Sequence, residues 1–406
     1  MKVTFLGGVN EYGRSCFHLQ ADRVSILIDC GIMKNAHVEH KRFPLLNREI
    51  VESLDVVFIT HSHEDHTAAL PLLCELGFKG SIYATSATLN QTIQVLTSLQ
   101  NGKQGYSSIT QQFRPLEPLP RQTWLQLAPN YQFDFQYGYS GHTLGSVWFL
   151  FRINGEQIFF SGDYSTESPI LTTDQPIIEK PIEIAILDGA YGNETCSQQT
   201  YLEEIYHAIE HALTLKKKVL LHGPIYGKLQ DLLMYFQNDR ANFLTDTAIS
   251  QEIRASFEAY MNNQSNVKKQ ALKQIDELAN QLQTIPLTTW LHNDSFSIGL
   301  FTEHELLKEL TAENADNLLI LCTGPYLEKI VAIGDKQPFP QYVQKRYKVH
   351  PSVYELHEQI KYLKPKRIVF SHSPNKQITY LQEVFTAIGE DVVLAEVGDV
   401  LEMIVK

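Results

Sequence analysis

Three histidines and an aspartate crowd into six residues in the run His61-Ser62-His63-Glu64-Asp65-His66. Imidazole and carboxylate are the side chains that hold zinc-like divalent metals. Packed into an interior, such a group is costly unless an ion or hydrogen bonds satisfy it. Further candidates stand singly: His142 in Gly141-His142-Thr143, Asp163 in Ser161-Gly162-Asp163 and His372 in Ser371-His372. Each alone reads as a turn residue at a strand end. Their joint appearance with the six-residue run makes a metal centre the specific reading.

These residues need strands to deliver them. Val56–Ile59 is an apolar β-rich run that ends at Thr60-His61, and Val3–Leu6, Ser25–Ile28 and Ser81–Tyr83 are similar. Tyr131–Tyr137 alternates. Val147–Ile153 and Gln157–Phe160 form a hairpin around Asn154-Gly155, a strong turn signal. Ile184–Leu187 is another strand, and a helix over Ala68–Leu76 stops at Gly77. The character then changes. Thr200-x-x-Glu203 reads as a capping box ahead of Leu202, Ile205, Tyr206, Ile209 and Leu213 at helical spacing. Val219–Leu221 and Leu318–Cys322 read as strands; Leu229–Phe236 and the row Val267, Ala271, Ile275, Leu278, Leu282 read as helices. The end returns to the first style, with a helix from about Pro351-Ser352 to Lys364-Pro365 and a strand Ile368–Phe370 before His372. This is a mixed α/β (α+β) chain.

The 406 residues suggest about two domains, and a net charge of −12 excludes a basic nucleic-acid coat. No apolar run is long enough for a transmembrane helix, and the N-terminus is too soon broken by Gly7-Gly8 for a signal peptide. Five scattered cysteines without a C-x-x-C pair read as thiols in a reducing cytoplasm.

The motifs resemble the metallo-β-lactamase superfamily: Asp29 after a strand, His61-x-His63-x-Asp65-His66, Gly141-His142-Thr143-Leu144-Gly145-Ser146 and Ser161-Gly162-Asp163. The resemblance implies an αββα four-layer sandwich with a two-metal site on one edge. It implies that His61, His63 and His142 hold one metal, that Asp65, His66 and His372 hold the second, and that Asp163 bridges them. Asp29 resembles the aspartate that orients a ligand. About 200 residues separate Asp163 from His372, and that stretch resembles the inserted β-CASP domain of nucleic-acid-processing nucleases. Leu187-Asp188-Gly189-Ala190-Tyr191-Gly192 resembles motif A, Val349-His350-Pro351-Ser352 motif B, and Lys364–His372 motif C. The expected organisation is a metallo-β-lactamase domain over 1–193 and 347–406 with a β-CASP domain at 194–346.

The resemblance implies a ribonuclease, because a histidine in motif C goes with RNA substrates. Two divalent ions, zinc in the first instance and manganese otherwise, would share the hydroxide that attacks a phosphodiester and leaves 5′-phosphate and 3′-hydroxyl ends. Asp65 and Asp29 belong to that machinery, and His350, held by Asp188, is the expected general acid. Gly227-Lys228-Leu229-Gln230-Asp231 resembles a basic signature of the inserted domain, with Lys228 where the family has Arg. Lys228, Thr323, Gly324 and Lys348 are the expected substrate contacts. Cys322–Glu328 departs from the loop that cradles a 5′ phosphate in ribonuclease J, so the endonuclease mode is favoured. From Gln341 to His372 seven cations stand against two acids, a local surplus that suits a polyanion. The expected partner is single-stranded RNA, with no membrane, and a homo-oligomer stays open. The competing readings are a small-molecule ester, thioester or lactone hydrolase, a DNA nuclease, and a metal-free RNA-binding scaffold.

Overall fold

Short runs of β-branched and aromatic residues near the start of the chain pair into one sheet, and those from Asp134 onwards pair into a second. The computed structural model describes residues 1–21, 23–99, 107–128, 131–239, 247–293, 297–310, 317–323 and 341–403. The chain divides into two compact units, one formed by residues 1–166, 173–195 and 350–406, the other by 167–172 and 196–349.

In the first unit, β1 (Lys2–Gly7), β2 (Cys16–Ala21), β3 (Val24–Ile28), β4 (Val56–Phe58), β5 (Ser81–Ala84) and β6 (Phe113–Pro115) lie side by side in chain order. The strand Val400–Glu402 pairs on the outer edge of β1. The second sheet runs Arg367–Ser371, β10 (Ile182–Asp188), β9 (Glu156–Phe160), β8 (Val147–Ile153) and β7 (Asp134–Tyr139). The expected hairpin is present, with Asn154 and Gly155 at φ of 53° and 86°, the left-handed pair that a two-residue turn needs. β7 starts three residues later than its alternation predicts. Its ladder with β8 begins at Asp134 opposite Arg152, one residue from the end of β8. The predicted helix Ala68–Leu76 is Leu70–Glu75, because Ala68 closes the preceding short helix Glu64–Thr67.

The two sheets face each other across an apolar core centred on Phe58, whose ring meets those of Tyr83, Phe133, Phe135, Phe149 and Phe151 at 5.1–6.2 Å. Separate apolar clusters cover the outer faces. Leu70, Leu73 and Leu96 come from helices on the first sheet, and Leu356, Ile360, Leu381 and Phe385 from the helices Val353–Leu363 and Asn375–Thr386 on the second. The layers are therefore helix, sheet, sheet, helix.

In the second unit β11 (Lys218–His222), β12 (Ala248–Ile249), β13 (Gln283–Thr284), β14 (Ile298–Leu300), β15 (Leu318–Cys322) and β16 (Gln341–Gln344) form one parallel sheet in the order β13-β12-β14-β11-β15-β16. Parallel strands need crossover helices, and the helices of this unit supply them. The helix Gln198–Thr214, which precedes β11, starts earlier than expected. Ser197 is its N-cap, so Thr200 and Glu203 lie inside the helix and form no capping box. Reciprocal boxes occur instead at Thr302 and Glu305, ahead of the helix Glu303–Glu309, and at Ser352 and Glu355, ahead of the Val353–Leu363 helix. Among the described residues no helix is long and apolar enough to cross a membrane.

Candidate metal centre

Strand direction brings the polar residues together. β3 runs parallel to β4, β9 runs parallel to β10 and to Arg367–Ser371, and β7 regains the direction of β9 through the antiparallel β8. Asp29, Thr60-His61, His142, Asp163, Asp188 and His372 stand at or just beyond the C-terminal ends of these strands. Backbone hydrogen bonds pin the edge: Val147 N donates to Thr60 O at 2.9 Å and His372 N to Gly8 O at 2.8 Å. The segments before β2 and after β3 clamp the His61–His66 loop, with Ser15 N on Asp65 O and Cys30 N on His66 O, both 2.8 Å. Gly31 passes so close that a Cβ there would sit 1.7 Å from Asp65 O. Asp29 and His372 are held at φ of 59° and 57°, a region that non-glycine residues occupy at a cost of about 1 kcal/mol or more.

Two donor sets result, and among the described residues a third group, Asp163, Asp188, His350 and His372, overlaps them. In the first, His63 Nδ1 lies 3.0 Å from His61 Nε2 and 3.3 Å from His142 Nε2. Asp163 Oδ2 lies 3.4 Å from each of those Nε2 atoms. In the second, Asp65 Oδ2 lies 3.0 Å from His372 Nε2 and 3.8 Å from His66 Nε2. Asp163 Oδ1 reaches both, 3.3 Å from His66 Nε2 and 3.3 Å from His372 Nδ1. One buried carboxylate thus presents an oxygen to each set.

The residues fit divalent ions. Ligand atoms about 2 Å from a tetrahedral zinc stand roughly 3.3 Å apart, which is the spacing of the first set. Three imidazole nitrogens converging at that distance cannot all be protonated, and a shared cation resolves the conflict. His372 Nδ1 is buried and approached by Asp163 Oδ1 at 3.3 Å without a well-aligned hydrogen bond, a further sign that the pocket is built around a positive charge. Asp29 sets the orientation of His66: its Oδ2 lies 2.7 Å from His66 Nδ1, which turns Nε2 into the second set. Thr60, whose role nothing in the sequence signals, donates its N to Asp29 Oδ1 at 2.7 Å and its Oγ1 to Asp29 Oδ2 at 2.8 Å.

Beside the donor sets, His350 Nδ1 lies 2.8 Å from Asp188 Oδ2 and 3.9 Å from Asp163 Oδ2. Asp188 is itself fixed by Tyr164 N at 3.1 Å and Ala190 N at 3.0 Å. The His350 ring is flanked by His142, His372 and Tyr191 at centroid distances of 4.8–5.1 Å.

The two sets differ in protonation. Burial pulls His61 well below the usual imidazole range and His63 down to about 4, so both offer lone pairs at neutral pH. Burial also opposes charge on His66 and His372. There Asp163 and the other nearby carboxylates outweigh it and hold both imidazoles well above the usual range. A metal entering the second set must therefore expel protons, whereas in the first set His61 and His63 carry none at neutral pH. Affinity for the second ion should rise with pH through neutrality, and acidification should strip that ion first. Zinc titration calorimetry at pH 7, in buffers of different ionisation enthalpy, should show proton release concentrated in one of two binding steps. Equal release in both steps would contradict this order.

The expected substrate contacts belong to the second unit. Lys228 is half-buried, its Nζ donates to Thr323 O at 3.2 Å, and burial lowers its pKa to about 8. Thr323 is buried and its Oγ1 donates to His222 O at 3.1 Å. Gly324 lies outside the described residues. Lys348 is 2% exposed and ion-paired with Glu167, which favours an internal pair over a phosphate contact. The cationic surplus counted along Gln341–His372 is likewise reduced, because Lys345 pairs with Glu204 and Lys366 with Glu183. Those acids come from distant parts of the chain, and a local count omits them.

Residues 25–222 match the family described as a β-lactamase superfamily domain. Over this stretch, just under half of its length, the chain is similar to a metallo-β-lactamase domain, a class that implies divalent metal ions. Its resemblance to the β-CASP family is borne out by its relatives. A protein of Methanocaldococcus jannaschii named as a probable RNase is 25% identical over 98% of this chain and 99% of its own length. A Candida albicans protein named as an endoribonuclease is 28% identical, over 63% of this chain but only 32% of its own length. A crystal structure of an Enterococcus faecalis protein of unknown function superposes with a TM-score of 0.62 at 14% identity. That match covers 98% of this chain and 99% of the other, and shows the shared fold.

Proposed function

We propose that this protein is a metal-dependent ribonuclease that hydrolyses RNA phosphodiester bonds to leave 5′-phosphate and 3′-hydroxyl ends, cutting within the strand. The observation that carries the reading is a histidine oriented by a buried carboxylate beside a filled double donor set: His350 on Asp188, next to Asp163. A lactone or thioester hydrolase has less need of that extra proton donor, because its leaving group departs more easily than a ribose oxygen. A non-catalytic scaffold has no use for seven filled donor positions. The names of the relatives support RNA as the substrate and, for the Candida protein, internal cleavage.

The donor atoms suit zinc, with manganese the alternative. His61, His63, His142 and Asp163 would hold one ion, and Asp65, His66, His372 and Asp163 the other. When bound, two such ions would acidify a water and neutralise charge on the phosphate oxygens. The protein's own groups do the rest. Asp29 and Thr60 keep Nε2 of His66 inward. Asp188 holds Nδ1 of His350, which leaves Nε2 to deliver a proton to the departing 3′ oxygen.

The test is cleavage of a circular and a linear single-stranded RNA by metal-loaded protein. Both should be cut, and the products should carry ligatable 5′ phosphates. An intact circle beside a linear RNA shortened from its 5′ end would replace the endonuclease mode by an exonuclease. No cleavage of either RNA, with turnover of a lactone or thioester, would overturn the ribonuclease reading.

A further inference from the structure

Tyr12 is 46% exposed yet held at three points. Its hydroxyl lies 2.7 Å from Gln377 Oε1 and 3.2 Å from the carbonyl of Ala190, two residues beyond Asp188. Its ring stands edge to face with His372 at a centroid distance of 5.9 Å. The loop that carries it is rigid. Arg14 is buried and grips Glu11 with two hydrogen bonds of 2.6 and 2.9 Å, while Glu11 Oε1 also accepts from Gly8 N at 3.2 Å. The loop passes through positive φ at Gly8, Asn10, Gly13 and Arg14, so its path is strongly bent and fixed by these bonds. Tyr12 itself adds little to the core, since nearly half of the residue is exposed.

An exposed aromatic ring with its rotation already arrested is a low-entropy binding surface. It stands beside one of the donor residues, where a phosphodiester would lie under the proposed function. What adjoins a phosphate in RNA is a sugar and a base, and the base has the flat π-face that a fixed tyrosine can match. We propose that Tyr12 is the stacking platform for the base of a nucleotide next to the scissile phosphate, an inference that rests on the ribonuclease reading. Stacking tolerates any base, so Tyr12 sets where the strand lies and reads no sequence.

Tyr12→Ala should raise KM for single-stranded RNA roughly 10-fold or more while kcat changes little. Tyr12→Trp should restore KM, which a merely misfolded loop would not allow. Placing a single abasic nucleotide at successive positions around the cleaved bond should reveal one position where wild type and Tyr12→Ala have the same KM. A KM unchanged in Tyr12→Ala, or a penalty undiminished at every abasic position, overturns the stacking role and leaves the ribonuclease reading standing. Failure of the unaltered, metal-loaded protein to cut any RNA overturns the ribonuclease reading and this proposal together.

Discussion

Replacing Asp163 by Ala should reduce RNA cleavage by on the order of 10³-fold or more and remove at least one of two bound ions. The reason is geometric. Asp163 is 2% exposed, and its two oxygens face different donor sets, with four imidazole nitrogens at 3.3–3.4 Å. No other carboxylate among the described residues reaches both sets. Its charge matters as much as its position. Burial opposes ionisation, but the surrounding imidazoles of His372, His66, His61 and His350 hold Asp163 well below the usual carboxylate range. At neutral pH it is a ready anion for two cations. Asp163→Asn keeps the shape but offers only one acceptor oxygen, so it should retain at most one ion. Elemental analysis and cleavage of a fixed RNA by the same preparations check both statements. Full activity with two ions per chain in Asp163→Ala would remove the bridging role and the site built on it.

Replacing His350 by Ala should lower kcat by about 10²–10⁴-fold, the range for loss of a general acid, and leave metal content unchanged. His350 stands outside the two sets proposed to hold the ions, and its short polar contact is with Asp188 at 2.8 Å. The decisive measurement is the dependence on leaving group. An RNA analogue with sulfur in place of the bridging 3′ oxygen leaves as a thiolate and needs no proton. On that substrate His350→Ala and the unaltered protein should differ by only a few-fold. Asp188→Asn should act through His350 and cost about 10- to 100-fold on normal RNA. A loss that is equally large with both leaving groups would falsify the acid role and make His350 a residue of ground-state binding.

Most of the candidate site could be read from the sequence because its residues obey two local rules. Strands end at polar turns, and ligands cluster where strands end. Val56–Phe58 is an apolar, β-rich run that ends just before Thr60-His61, so the position of His61 follows. Local rules failed where pairing decides. β7 begins where its ladder with β8 begins, and the helix after Cys196 starts at Ser197 because that hydroxyl, at 3.4 Å, caps Thr200 N. The charge count along Gln341–His372 failed for a related reason. Glu204, Glu167 and Glu183 are remote in sequence and near in space.

The sequence by itself determined the chemical inventory: which imidazoles and carboxylates exist, and that strand ends would present them. That information is local, since side-chain type and backbone propensity do not depend on distant contacts. Tertiary structure decided everything relational. It aligned the C-terminal ends of strands from two sheets along one edge and gave each oxygen of Asp163 to a different donor set. It also made His66 and His372 proton-binding while His61 and His63 stay neutral, and it turned the ammonium of Lys348 towards Glu167. Distances of a few ångströms and the exclusion of water set these properties. They arise only when segments far apart in the chain are packed together.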